Sequence, residues 1–172
     1  MFKKKAVKQK MAEWDAVDNE YRETRNESIL EKPFVELDDL LNDYINTNSK
    51  NRKFLRNLFK EHRNSRDLLF QYWHNKTKTI ESVDDAGKLD LCLAAISLEN
   101  FLFDDRDSLI GLAELYLASV KAGIDPDPHY QRIGEMSEKK AYGATVKNQI
   151  GNFKKTAMFG SIEKKFERIR NQ

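Results

Sequence analysis

"KLDLCLAAISLENFLF", residues 88–103, is apolar on nearly every side if it is wound as a helix. A helix tolerates that only where neighbours cover it all round. The stretch therefore predicts a central helix inside an all-helical body, rather than a surface helix or an edge strand. "SLIGLAELYLASVKAG", residues 108–123, reads as a second apolar helix, closed by Gly123 in a left-handed cap with Ile124 folding back in apolar contact. If residues 88–122 formed one rod, Leu91, Ala95, Leu98, Leu102, Arg106, Leu109, Ala113, Tyr116 and Val120 would share a stripe in which only Arg106 is polar. That rod would be about 52 Å long, against about 40 Å across for a compact domain of this length. A break or bend near Asp104 is more economical, with Asp104 as N-cap and Asp107 as its acidic third position. The expectation is a buried central helical hairpin over residues 84–138.

Outward from the hairpin, periodicity of three and four continues. In "FVELDDLLNDYI", Leu37, Leu40, Leu41, Tyr44 and Ile45 mark a helix buried along one side, following an interruption at Pro33. Phe54, Leu55, Leu58, Phe59, His62, Arg66, Leu69, Phe70 and Trp73 keep helical spacing, as one helix or as two broken near "RNSR". Ser49 is the expected cap of the first and Ser65 of the second. Residues 75–87 read as a loop. "IDPDPHYQRIGEM" predicts a helix capped by Asp127, with Pro128 at its first position and Tyr130, Ile133 and Met136 inward. Before Pro33, the positions Val7, Met11, Trp14, Val17 and Tyr21 form one narrow stripe on a helix too polar to stand alone. It needs a body or a partner to dock on. After Glu138 the composition turns to Lys, Asn and Gly, and Gly143, Gly151 and Gly160 each weaken a helix by about 1 kcal/mol. One short helix, "SIEKKFERI" capped by Ser161, is expected there.

The expected architecture is thus an all-α, single-domain multi-helix bundle of about 6–8 helices with extended, partly ordered ends. It divides into an N-terminal polar amphipathic helix or arm (1–32), a helical core (33–138) and a basic C-terminal arm (139–172). At 172 residues the chain can bury roughly two-thirds of the surface its unfolded form exposes.

The net charge of +2 hides a segregation. Residues 1–80 carry 17 Lys and Arg against 13 acids, residues 81–138 carry 4 against 13, and residues 139–172 carry 9 against 2. The middle is acidic and both ends are basic, which implies either two partner surfaces or ends that pack on the middle. Cys92 is the one cysteine, so no intramolecular disulfide or thiolate metal cluster is expected, and a reducing cytoplasm is the default. The opening "MFKKKAVKQKMAEWDAV" has the basic start of a signal peptide without its apolar stretch, and no run approaches a membrane span.

Catalytic constellations fail one by one. "DPDPHYQRIGEM" starts like a calcium loop, but Tyr130 stands where glycine is required and Met136 where glutamate is required. His62, His74 and His129 lack HxxxH, HExxH or ExxH spacing, and Cys92 lies in an apolar setting that suppresses its thiolate. No phosphate-cradling glycine loop or serine elbow is present. Asp104, Asp105 and Asp107 are too few for a hard divalent ion without carboxylates from elsewhere. They read as a helix cap or as an acidic partner face. The clearest positive signal is "SKNRKFLRNLFKEHRNSR", residues 49–66, where Lys50, Arg52, Lys53, Arg56, Lys60, Arg63 and Arg66 surround one acid, Glu61. With the apolar positions inward, these cations form an outer face able to meet a partner or follow a phosphate backbone.

The sequence therefore points to a non-enzymatic, cytoplasmic helical protein that binds another protein through surface charge and shape, as small bacterial toxin-neutralising (immunity-like) or adaptor proteins do. It needs no cofactor, metal or membrane. The alternative is a nucleic-acid-binding or nucleoprotein-associated helical protein using the 50–66 face and the C-terminal arm.

Overall fold

The computed structural model describes residues 3–99 and 106–136, with the backbone alone over 106–110, and the single positions 148 and 164. Among the described residues there are seven α-helices and no strand: α1 (Lys4–Thr24), α2 (Glu31–Asn46), α3 (Ser49–Glu61), α4 (Arg63–Thr77), α5 (Ala86–Glu99), α6 (Arg106–Lys121) and α7 (Asp127–Glu135). Two 3-10 turns, Glu27–Leu30 and Val83–Asp85, lead into α2 and α5. The all-helical class expected from the apolar periodicity is the class the chain adopts. Its contacts gather into two compact units, Met1–Lys76 with Leu91–Asn100, and Thr77–Asp90 with Phe101–Gln172.

In the first unit α1 docks on the body through Val7, Met11 and Trp14, all buried. Burying side chains of this size contributes about 1.5–3 kcal/mol each, enough to hold a helix whose other faces are charged. Glu36 of α2 fixes the α1–α2 hairpin, accepting from Trp14 Nε1 at 2.9 Å and from Lys10 Nζ at 2.5 Å. Leu37, Leu40, Leu41, Tyr44 and Ile45 are buried along α2, as their spacing predicts. The expected interruption at Pro33 does not occur. Pro33 lies buried in the first turn of α2, where the missing N–H would have no intrahelical partner and the fixed φ already suits a helix.

α3 returns along α2 and therefore runs parallel to α1. Its cap is Asn48, which accepts from the Asn51 N–H at 2.9 Å, and not Ser49, the first helical residue. The break foreseen near "RNSR" falls at His62, whose non-helical backbone ends α3. Ser65 does not cap α4. Its hydroxyl and N–H both donate to Asp15 Oδ1 of α1, at 2.7 and 2.9 Å, so a carboxylate from a neighbouring helix satisfies the start of α4. α4 runs on to Thr77 and α5 begins at Ala86, so the loop expected over 75–87 shortens from both sides. Residues Cys92–Glu99 are buried without a gap, as a helix apolar on all sides requires. Its two polar members find partners: Ser97 Oγ lies 2.9 Å from Tyr44 Oη, and Glu99 Oε2 accepts from Trp73 Nε1 at 2.9 Å.

In the second unit, Ser82 and Asp85 form a reciprocal capping box ahead of α5. α6 ends as its sequence predicts: Gly123 has φ +82°, its N–H donates to Val120 O at 3.0 Å, and the Ile124 N–H reaches Ser119 O at 2.9 Å. α7 begins at Asp127 itself and Pro128 takes the second position, one residue later than expected. The Asp127 carboxylate is engaged elsewhere, accepting from Tyr116 Oη at 2.9 Å. Tyr130 packs edge-on against Tyr116, with its hydroxyl on Leu112 O at 2.6 Å, and Asp90 accepts from His129 Nδ1 and Arg132. The expected cap at Asp104 and the helix at Ser161 lie outside the described residues.

Candidate functional site

The α3 cations do not form the single outer face that their sequence suggests. Lys50, Lys53 and Lys60 on α3 and Arg63 on α4 are exposed, while Arg52 and Arg66 are half-buried. Arg56 is a correction: only 5% of it is exposed, and its guanidinium donates to Tyr44 Oη at 3.1 Å. Arg52 turns back to the Thr47 carbonyl. The reason lies in how α3 is covered. Leu55, Leu58 and Phe59 are its buried stripe, and α2 closes over the flank that carries positions 52 and 56. Arginine's long apolar stem can follow that flank while its fork finds buried acceptors. Arg52 and Arg56 thus serve packing, and Lys50, Lys53 and Lys60 are left outside.

The structure also adds cations that lie outside residues 49–66. Lys4 Nζ and Lys8 Nζ of α1 lie 5.0 and 5.9 Å from the centroid of the Phe54 ring on α3. Each such contact contributes about 0.5–1 kcal/mol at an exposed site. Further along the pair, Trp14 stacks on Phe59 at 6.3 Å, His62 Nδ1 meets Asp15 Oδ2 at 3.2 Å, and Asn64 Nδ2 donates to Asn19 Oδ1 at 2.8 Å. These pairs march in register, so α1 and α3 lie side by side with their first turns at the same end of the unit. Exposed Lys3, Lys4, Lys5 and Lys8 thereby join exposed Lys50 and Lys53 in one lysine pole. Among the described residues no carboxylate pairs with any of these six. The sequence signal was present but divided: residues 1–12 and 47–60 are both free of acids, and only the fold makes them neighbours.

The lysines also work against their own helices. Neither α1 nor α3 has an acid in its first turn, and a cation there opposes the positive end of the helix dipole. The same local rule is thus broken at both helix starts.

Other ionisable clusters are taken up by helix docking. The Glu36 carboxyl is pushed up by burial, but hydrogen bonds from Lys10 and Trp14 outweigh this and hold it below its ordinary range. The same bond to Glu36 raises Lys10. Burial holds the Asp18 carboxyl above its ordinary value, against the attraction of Arg22. Asp38 accepts from Tyr72 Oη and pairs with Lys76. Among the described residues no three His, Cys, Asp or Glu side chains gather in a way that could hold a metal ion. No described helix is long and apolar enough to cross a membrane.

The acidic candidates are placed only in part. Asp104 and Asp105 lie outside the described residues, and Asp107 falls in the first turn of α6 with only its backbone described. Comparisons with family models, with curated proteins and with solved structures returned no match for the chain.

Proposed function

We propose that the chain is a non-enzymatic binding protein, of adaptor or partner-neutralising kind, that engages an anionic macromolecule through its lysine pole. The observation that carries this is the gathering of Lys3, Lys4, Lys5, Lys8, Lys50 and Lys53 at one end of the α1–α3 pair, with no carboxylate pairing to them among the described residues. Such a surface raises the rate of encounter with a polyanion and selects partners by sign of charge. The described ionisable groups on the body support a non-catalytic role, since Asp15, Glu36, Asp38 and Asp90 each serve a helix contact. An acidic protein surface is one partner of this class, and the backbone of a nucleic acid is another. A reducing, cytoplasmic setting is part of the proposal, because the sequence has one cysteine, Cys92, and it is buried.

Retention on heparin resin tests the reading. Wild type is expected to elute well into a salt gradient. The double variant Lys4→Gln/Lys53→Gln should elute markedly earlier than Lys32→Gln/Lys78→Gln, which removes the same charge from exposed positions elsewhere. Equal elution of the two variants would refute the lysine pole as the working surface.

A further inference from the structure

Resting on that reading, we infer that the anion recognised by the lysine pole is the backbone of a double-stranded nucleic acid, bound without regard to sequence. Three observations narrow the partner. The exposed cations of the pole are all lysines, while Arg52 and Arg56, whose forks could read a guanine edge, are drawn onto the Thr47 carbonyl and Tyr44. A lysine ammonium is a point charge that suits phosphate and carries little base information. Next, among the described residues the pole offers no bare aromatic platform: Phe54 lies under Lys4 and Lys8, and Trp14 and Phe59 are buried. Single strands are held largely by stacking on such platforms, so a duplex fits better. The third observation separates nucleic acid from the other large anions. Stable protein interfaces place aromatic and apolar anchors at their centre and are depleted in lysine, yet the large exposed apolar residues described are Val35, Val83 and Val120, none of them on α1 or α3. An anionic membrane would need the apolar face of α1 for insertion, and Val7, Met11 and Trp14 already spend it on the core. Lys4 and Lys8 are one helical turn apart, about 6 Å, and both lie over Phe54 of α3, the helix that carries exposed Lys50 and Lys53.

The test is fluorescence anisotropy of the full chain with 20-base-pair duplexes of two unrelated sequences, as DNA and as RNA, and with a single strand of the same length. With about four lysines on phosphates, affinity should fall about a hundredfold between 50 and 200 mM salt. The two sequences should bind within a few-fold of each other, and the single strand more weakly. Lys4→Gln/Lys8→Gln should lower the salt slope by about 2, with helix content by circular dichroism unchanged. Lys32→Gln/Lys78→Gln should leave it intact. Retention on heparin without duplex binding at 50 mM salt would overturn this inference while leaving the binding role standing, and would point to an acidic protein. Duplex binding unaffected by the Lys4/Lys8 pair, or strongly dependent on sequence, would also overturn it.

Discussion

Arg56 and Lys53 stand three residues apart on one helix, yet one is buried on Tyr44 and the other exposed. Helical spacing identifies the apolar stripe of α3, but not which of its two polar flanks a neighbour will cover. That is why the lysines of the expected basic face were legible and the arginine at 56 was not. Asp15 was illegible for a related reason, since a cap supplied from another helix leaves no mark at i and i+3. Asp15→Ala should lower stability by about 1–2 kcal/mol, read as a shift of the urea midpoint, while Asp15→Asn keeps an acceptor for Ser65 and should lose less. Asp18 carries the opposite expectation. Its carboxyl is held above the ordinary 3.8 by burial, so the folded state loses stability as pH rises from 3.8 and carries the full penalty above that folded value. Asp18→Asn should therefore stabilise the protein at pH 7, and the gain should shrink as pH falls toward 3.8. A gain independent of pH would contradict this. Glu36 works the other way, its folded value lying below 4.5. Its contribution is complete above about pH 4.5 and is lost as pH falls through the folded value, so Glu36→Gln should cost stability at pH 7 and progressively less in acid.

At the scale of elements, what could be read was whatever one helix decides by itself. The α2 stripe, the fully apolar α5 and the Gly123–Ile124 closure of α6 follow from residues within the element. Helix starts were read less well, because Pro33 fits inside a first turn and Asn48 competes with Ser49 for the cap of α3. Gly123 shows what such a closure is worth. A Cβ there would sit 3.4 Å from Val83 Cγ1, which is tolerable, but the φ of +82° is not one that alanine adopts readily. Gly123→Ala should cost about 1 kcal/mol, roughly the penalty of a left-handed residue with a Cβ, measured as a lowered Tm. Tyr116, on the same helix, is pushed up to about 12 by burial and by its bond to Asp127. A folded value above the ordinary 10 means its contribution is intact below pH 10 and disappears as pH climbs toward 12. Tyr116→Phe should remove that part of the alkaline stability loss.

For the whole molecule, the sequence carried the helical class and the charge segregation, and it withheld the site. Two acid-free runs some forty residues apart become one surface only through the docking of α1 on α2 and α3, a tertiary event that Met11, Trp14 and Glu36 control. That docking makes the lysine pole a test of the fold as much as of the function. Lysine acetylation with a small acylating reagent, mapped by mass spectrometry with and without saturating heparin, reads both at once. The expected result is protection of Lys4, Lys8, Lys50 and Lys53 together, with exposed Lys32 and Lys78 modified at unchanged rates. Protection spread evenly over all exposed lysines, or confined to positions outside α1 and α3, would contradict a working surface at that pole.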